Sequence, residues 1–275
     1  MGSPRVLITG AARGIGAALA ERLAGTGARV ALAGLEPALL AEVATRCSAP
    51  WRECDVGSRS QVESAVEELV GELGGLDVVV ANAGIAKQLP IVGGDPAVMT
   101  ETLRVNLLGT YYTLRAAGAH VAHPGGYALA VASLAAAVHP PLMGAYSAAK
   151  AGVEALGDTL RVELAPTGAR VGVAYFAELD TDMTARGFDT DATRALGPLT
   201  AVTPLPVAID ALERGIARRS RRVVAPRWGG LVLPIRGVAQ RVVEWRLRGR
   251  VAEAVRLAQA EDVPFTTPQE GRAGE

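Results

Sequence analysis

The chain has 275 residues, 49% of them hydrophobic, and 28 basic side chains balance 28 acidic ones to a formal net charge of zero. These values favour one large globular domain, or one with a tail, and give no overall electrostatic case for nucleic-acid binding. The two cysteines, Cys47 and Cys54, suit a reducing compartment. No stretch resembles a signal peptide or an apolar run of about 18 residues, so we expect a cytoplasmic location.

The first predicted elements are a buried strand, a glycine turn and a helix. The strand is Arg5–Thr9; Gly10, Gly14 and Gly16 follow it, and a helix is predicted near 14–25. Glycines let a backbone approach a phosphate closely, and a helix N-terminus attracts the negative charge. The arrangement favours a nucleotide-phosphate site, with an ordinary glycine-rich turn as the alternative.

Strand-like and helix-like segments then alternate along the chain. Further strands are predicted at Arg29–Ala33, Trp51–Cys54, Leu76–Ala81, Tyr127–Ala132, Arg170–Tyr175 and Arg221–Ala225. Further helices are predicted near 36–46, 58–72, 96–120, 146–165 and 204–219. Such alternation predicts a doubly wound α/β fold with about seven parallel strands and helices on both faces. Its ligand crevice should lie at the carboxyl ends of the strands.

Tyr146 and Lys150 lie one helical turn apart, in a chain that has only two lysines. Positions i and i+4 share a helix face, so phenol and ammonium can point into the same space. We expect the positive charge to lower the tyrosine pKa and fit it for general acid/base work. Ser133, upstream, could hold a substrate oxygen. The pair alone is a weak signal, because many helices carry one half-exposed.

Several motifs in a fixed order carry a family resemblance. They are T-G-A-A-R-G-I-G around Gly10, N-A-G at 82–84, Asn106 in V-N-L-L-G-T, Ser133, and Tyr146-x-x-x-Lys150. The chain resembles the short-chain dehydrogenase/reductase family over about residues 4 to 225. The resemblance implies a Rossmann-type fold and NAD(P)-dependent oxidoreductase activity on CH–OH groups, which interconverts an alcohol and a ketone.

The resemblance also implies the cofactor site. Its residues would be Gly10, Arg13, Gly14, Ile15, Gly16, Leu35, Glu36, Asp55, Val56, Asn82, Ala83, Gly84, Tyr146, Lys150 and Thr181. Asp55 would bond the adenine amino group. Glu36 could reach the ribose or repel a 2′-phosphate, or serve only as a helix N-terminal acid, whereas Arg13 could contact such a phosphate. We expect NAD, with NADP as the alternative, and no metal.

By the same resemblance, four residues carry catalysis. Tyr146 would exchange a proton with the substrate oxygen, and Lys150 would lower the tyrosine pKa and bind the nicotinamide ribose. Ser133 would hydrogen-bond the substrate oxygen, and Asn106 would hold a water linked to Lys150. The family's Pro-Gly after strand six is missing, so Thr181 is only a partial match. Two other functions stay open: a cofactor-binding regulator without turnover, and a non-redox lyase or epimerase.

Pocket walls are expected from 134–145 and from 178 to about 200. Their apolar members are Leu134, Val138, Pro140, Pro141, Leu142, Met143, Leu179, Met183 and Phe188. The acids Glu178 and Asp180 could reshape the pocket or face water, and few charges lie next to Tyr146. We therefore expect an apolar ketone or secondary alcohol as substrate. A lone loop histidine such as His139 is more often exposed to solvent than a substrate ligand.

Three regions are predicted along the chain: the catalytic domain at 1–225, a helical extension at 226–260, and a disordered tail at 261–275. The stretch from 214 to 256 carries twelve arginines with interleaved apolar residues. It is read first as a helix that packs on the domain or on a second subunit, and second as a membrane-surface helix. A homodimer or homotetramer through the helices near 96–120 and 146–165 is expected.

Overall fold

A computed structural model describes residues 3–187, 190–261 and 265–266, with the side chains of 185–187 excepted. Seven strands form one sheet in the order β3-β2-β1-β4-β5-β6-β7, and every paired strand is parallel. The strands are β1 (Arg5–Thr9), β2 (Arg29–Gly34), β3 (Trp51–Glu53), β4 (Val78–Ala81), β5 (Tyr127–Val131), β6 (Arg170–Phe176) and β7 (Arg222–Ala225). The strand order reverses between β1 and β4, which opens a crevice above their carboxyl ends. The predicted doubly wound α/β fold is confirmed.

Helices cover both faces of this sheet. They are α1 (Gly14–Gly25), α2 (Pro37–Cys47), α3 (Arg59–Leu73), α4 (Pro96–Thr102), α5 (Gly109–Gly118), α6 (Gly144–Glu163), α7 (Asp182–Gly187), α8 (Asp191–Leu196), α9 (Leu205–Arg218), α10 (Gly229–Val232), α11 (Arg236–Leu247) and α12 (Val251–Ala260). A π-helical segment at Leu103–Leu108 joins α4 to α5, and short 3₁₀ turns lie at Leu134–Ala136, Ala165–Thr167 and Leu233–Ile235.

The core consists of two apolar layers, one on each face of the sheet. One layer joins α3, α5 and α6 to the sheet, and the other joins α1, α2 and α9 to it. Every residue of β4 and β5 is buried. Strands that are buried on both faces need apolar residues at every position, which explains their uninterrupted apolar runs. A strand with one face in water would alternate polar and apolar residues instead.

Most predicted elements are present, and their ends shift by one or two residues. The predicted helix near 96–120 differs more, because the π-helical segment interrupts it and α5 ends at Gly118. The segment after β6, expected only as a pocket wall, forms the two short helices α7 and α8.

The stretch after β7 contains α10, α11 and α12, and it packs against the preceding part of the chain. α12 lies on α8 through a small apolar cluster that contains Leu142, Ala192, Leu196, Ala254 and Ala258. Of the tail predicted to be disordered, only Glu261, Phe265 and Thr266 lie within the described residues. Thr266 differs from that prediction, because it is buried and its backbone N–H donates to the Ala86 carbonyl at 3.1 Å. Within the described ranges, none of the helices combines the length and apolarity needed to cross a bilayer.

Candidate active site

The glycine turn between β1 and α1 forms one end of the site. Gly10 and Gly14 have φ angles of +64° and +55°, which favour glycine over residues with a side chain. A Cβ on Gly10 would lie 2.6 Å from the Ala83 Cα, so the turn and the loop after β4 touch through backbone. The Asn82 amide fastens them together, donating to the Thr9 carbonyl at 3.1 Å and the Gly10 carbonyl at 3.2 Å. The first N–H groups of a helix have no partner within it, and the start of α1 borders the cavity at Gly14 and Ile15, an arrangement suited to a phosphate.

An ion pair between Arg13 and Glu36 lies beside this turn. Arg13 Nε donates to Glu36 Oε2 at 2.6 Å, and a second guanidinium nitrogen contacts the other carboxylate oxygen. Glu36 occupies the N-cap position of α2, yet its side chain makes no capping bond. The two residues expected to pull cofactor preference in opposite directions therefore neutralise each other.

Asp55 follows β3 and is buried at the same edge of the sheet. Its Oδ2 accepts from Arg104 Nη1 at 2.8 Å, and its Oδ1 accepts from the Gly57 backbone N–H at 3.0 Å. Arg104 stands in the π-helical segment, and sequence reasoning missed it as a partner. The pairing fixes the carboxylate at the cavity wall, where its proposed contact with adenine stays a prediction.

Ser133, Tyr146 and Lys150 meet at the carboxyl end of β5. Ser133 follows the strand, and its Oγ accepts from the Ala135 N–H at 3.1 Å, which holds the hydroxyl in place. Tyr146 lies in the first turn of α6, and Lys150 one turn later. Lys150 Nζ lies 5.6 Å from the centre of the Tyr146 ring and donates to the Val131 carbonyl at 2.8 Å. The i, i+4 spacing places the two groups together, as the sequence predicts.

The electrostatics of this group differ from the expectation. Burial raises the pKa of the Tyr146 phenol, and a hydrogen bond with Ser133 acts in the opposite direction. The net shift of the tyrosine pKa is upward, because lost hydration of the phenolate outweighs the Ser133 hydrogen bond. The lowering of this pKa by Lys150 stays a prediction. Burial also lowers the pKa of Lys150 to about 8. The lysine therefore carries its charge below that pH.

Asn106 lies behind the cavity wall. The side chain is fully buried in the π-helical segment, where its Oδ1 accepts from the Ile85 N–H at 2.7 Å and its Nδ2 donates to the Ile85 carbonyl at 2.8 Å. Between it and Lys150 stands Gly84, where a Cβ would lie 3.2 Å from Asn106 Oδ1 and 3.5 Å from Lys150 Nζ. Asn106 therefore positions the loop beside Lys150, and its role in holding a water stays a prediction.

The comparisons with known proteins agree with this geometry. Residues 4–192 match the family described as short chain dehydrogenase. The chain belongs to the short-chain dehydrogenase/reductase family. It is an oxidoreductase of the kind that acts on CH–OH groups with NAD(P).

Three similar proteins illustrate this membership. A short-chain dehydrogenase/reductase, eriH, from Hericium erinaceus is 38% identical over 173 residues, which cover 59% of this chain and 69% of that protein. A D-threitol dehydrogenase from Mycolicibacterium smegmatis is 33% identical over 199 residues, which cover 70% and 76%. The crystal structure of a dehydrogenase/reductase from Sinorhizobium meliloti has a TM-score of 0.73 at 28% identity and covers 82% of this chain and 94% of its own.

One cavity of about 590 Å³ joins the parts of this short-chain dehydrogenase/reductase. All residues predicted to hold the cofactor line it except Gly16, and all predicted catalytic residues line it except Asn106. Gly16 is buried beneath the turn, where a Cβ would lie 2.8 Å from the Asn82 amide nitrogen. These two residues act behind the cavity surface.

The substrate end of the cavity has more walls than predicted. The expected residues Leu134, Val138, Pro140, Pro141, Met143, Leu179 and Met183 line it. Leu142 does not, because it is buried in the apolar cluster between α8 and α12, and Phe188 lies outside the described residues. The C-terminal extension adds Trp228, Val232, Ile235, Val238, Val242 and Val243, which sequence reasoning missed. Their apolar spacing was the available signal, although it was interpreted as packing on the domain or on a partner.

A few polar groups interrupt these apolar walls. Gln88 is buried at the wall, and its Oε1 accepts from Thr193 Oγ1 at 2.7 Å and from Thr190 Oγ1 at 3.3 Å. Glu178 is half-buried at the cavity surface, which raises the pKa of its carboxyl. Asp180 is exposed. His139 is also exposed, its Nδ1 lies 3.0 Å from the Ala135 carbonyl oxygen, and the residue does not line the cavity.

Proposed function

We propose that the protein is an NAD-dependent dehydrogenase/reductase that interconverts an apolar secondary alcohol and its ketone. The observation that carries this proposal is the convergence of Ser133, Tyr146 and Lys150 on the cavity that also contains the glycine turn. A nicotinamide dinucleotide held in this cradle would supply or accept the hydride. The chain itself supplies position, a proton and the shape of the pocket.

In the reductive direction the Tyr146 hydroxyl donates its proton to the substrate oxygen as negative charge develops there. Ser133 hydrogen-bonds that same oxygen and stabilises the developing charge. Lys150, held by the Val131 carbonyl, places a positive charge next to the phenolate that remains. In the oxidative direction the same phenolate accepts the proton. The raised pKa of Tyr146 keeps the phenol protonated near neutral pH and so favours its role as an acid.

The Arg13–Glu36 pair supports NAD over NADP. A 2′-phosphate needs an uncompensated positive charge, whereas here the guanidinium is already bound to a carboxylate. That carboxylate would also repel a phosphate while it could accept a bond from a ribose hydroxyl.

The apolar walls support an apolar substrate. The relative from Mycolicibacterium smegmatis is named for a polyol, and we propose a less polar substrate for this chain because the extension adds aliphatic and aromatic surface. Gln88 would supply a directional contact on this wall. Since Thr190 and Thr193 donate to its Oε1, its Nε2 would donate to a substrate oxygen remote from the reacting carbon.

A kinetic screen tests this function. The absorbance of reduced nicotinamide would be followed with a panel of hydrophobic ketones and of sugar phosphates, each with NADH and NADPH. We expect turnover with hydrophobic ketones and NADH. Preference for sugar phosphates would overturn the substrate assignment. Tight NAD binding without any turnover would favour the regulator, and substrate conversion without net change in the nicotinamide would favour the lyase or epimerase.

We also propose a cytoplasmic homodimer or homotetramer that forms through α4, α5 and α6. Leu108 and Tyr111, at the start of this surface, and Val162 on α6 are exposed apolar side chains that an interface would cover. Light scattering would test the assembly, and a monomer at micromolar concentration would contradict it.

A further inference from the structure

An exposed apolar stripe runs along α10 and α11. We call it the mouth stripe, and it consists of Trp228, Leu231, Ile235, Val238, Val242 and Trp245. These six side chains are between 43% and 72% exposed. A soluble monomer rarely leaves so continuous an apolar surface in water, so the stripe indicates a contact that the chain makes with something else.

The stripe is a separate face of α11 and not the edge of its core side. Ala239, Val243 and Leu247 are the less exposed apolar positions, and they repeat every four residues on the side that meets the domain. Val238, Val242 and Trp245 repeat at i, i+4 and i+7 on a second side, which is centred about 130° around the helix from the first. The helix therefore presents two apolar faces, and the domain covers only one.

The mouth stripe is continuous with the catalytic cavity. Trp228, Ile235, Val238 and Val242 are exposed and also line the cavity. An apolar molecule that moved along the stripe would reach the substrate end without crossing a polar surface.

Positive charge surrounds the stripe. Residues 226–250 contain six arginines and a single acidic residue, Glu244. At 100° per residue, Arg241 and Arg248 lie on one side of the apolar face of α11, and Arg246 lies on the other. All three are exposed. The aliphatic part of each arginine side chain can lie beside the apolar stripe while its guanidinium group lies at the margin. This arrangement suits contact with a layer that has an apolar interior and anionic groups at its surface.

We propose that the mouth stripe docks on the surface of an anionic lipid bilayer, and that the apolar substrate enters the cavity from there. The statement about substrate entry rests on the proposed function, whereas the docking does not. A second copy of the chain fits less well, because a two-fold contact would bring two sets of arginines together. Glu244 and the Glu154 that binds Arg236 would offset only part of that charge in each copy.

Vesicle co-sedimentation of the full chain tests the docking, with vesicles of phosphatidylcholine alone and of phosphatidylcholine with phosphatidylserine. We expect binding to the anionic vesicles. The double variant Leu231→Ser/Trp245→Ser changes two side chains of the stripe that lie outside the cavity lining, and it should lose binding by about tenfold or more. Arg241→Gln/Arg248→Gln should lose about tenfold in affinity for anionic vesicles.

The matched control is Arg214→Gln/Arg218→Gln, which removes two positive charges, as Arg241→Gln/Arg248→Gln does. Both control positions lie near the C-terminal end of α9, just before β7. This end lies at the amino edge of the sheet, opposite the mouth stripe, so binding should not change. Circular dichroism would establish that each variant is folded.

Absence of vesicle binding in the wild type would overturn the docking, as would equal binding by all variants. Dimerisation that the stripe variant abolishes, without any vesicle binding, would assign the stripe to a second copy instead. Vesicle binding with no turnover on any ketone would support the docking while the proposed function fails.

Discussion

At the scale of single residues, the contact between Arg13 and Glu36 controls the charge beside the glycine turn. Glu36→Gln removes the carboxylate and leaves the guanidinium uncompensated. We expect kcat/KM with NADPH to rise by about tenfold relative to NADH, since loss of one repulsive contact near a phosphate is worth roughly 1.4 kcal/mol. Steady-state kinetics with both cofactors measure the change. Glu42→Gln, an exposed position on α2, is the control, and an unchanged preference in Glu36→Gln would contradict this role.

Lys150 predicts a pH dependence. Because burial lowers its pKa to about 8, the ammonium is present below that pH and is lost above it. The developing Tyr146 phenolate then loses its neighbouring charge, so kcat/KM for ketone reduction should fall as the pH rises through about 8. Lys150→Arg keeps a charge at all these pH values and should lose this alkaline limb, at a lower overall rate. An alkaline limb that persists unchanged in Lys150→Arg would assign it to another group.

Residues near each other in the chain were the predictable ones. The proximity of Tyr146 and Lys150 follows from helix geometry, and the structure confirms it. The bond between Asp55 and Arg104 spans 49 positions, and only the tertiary fold brings the two together. The net upward shift of the Tyr146 pKa was not predictable for a related reason. It depends on the depth of burial, which is a property of the packed site that a local motif does not contain.

At the scale of elements, the start of β1 is tied to the start of β4. The Asp77 carboxylate accepts from the Arg5 backbone N–H at 2.8 Å, from its Nε at 2.9 Å and from its Nη2 at 2.8 Å. The Arg5 contacts lower the pKa of Asp77 to about 2, below its ordinary value. A carboxyl with a depressed pKa contributes stability above the pKa of the unfolded chain and loses it as the pH falls through the folded value.

Asp77→Asn should therefore lower the free energy of unfolding at pH 7 by about 1 kcal/mol. Denaturant titration at pH 7 and at pH 2 measures it, and the difference from the wild type should shrink at the lower pH. Asp180→Asn, at an exposed loop position, is the control. An equal loss of stability at both pH values would show that the charge is not the cause.

The element boundaries show what a sequence pattern contains. Buried parallel strands have short, uninterrupted apolar runs such as Val78–Ala81. The predicted ends of these strands lie within two residues of the observed ends. The π-helical segment at Leu103–Leu108 was not predictable, because its apolar spacing also fits an ordinary helix. The short helices α7 and α8 have too few residues to show a period.

At the scale of the whole molecule, the C-terminal extension closes the substrate end of the cavity. Its position depends on the contact of α12 with α8, where Ala254 is fully buried. Ala254→Leu overfills this contact and should displace the extension, at a cost of about 1–3 kcal/mol. We expect KM for the ketone to rise while the affinity for NAD is retained. Ala252→Leu, on the exposed side of the same helix, should change neither, and equal effects of both variants would contradict the idea.

The resemblance to the family covers the chain only to about residue 225. The cavity-lining role of the residues after that point was not predicted. The seven-stranded sheet and its switch point followed from strand alternation. The second wall of the pocket did not, because the apolar residues at 226–247 give a helix but not the surface on which it packs. Sequence therefore predicted the catalytic end of the cavity better than the substrate end.

The proposed reaction depends on proton transfer by Tyr146. Tyr146→Phe removes only the hydroxyl, and Tyr111→Phe, on the exposed surface of α5, is its control. The most direct measurement is the rate at which reduced nicotinamide is consumed with a ketone that the wild-type protein reduces. NAD binding would be measured in parallel by calorimetry. We predict a loss of about 10²–10⁴-fold in kcat/KM for Tyr146→Phe with NAD affinity retained. Wild-type turnover in Tyr146→Phe would contradict the assignment of the general acid.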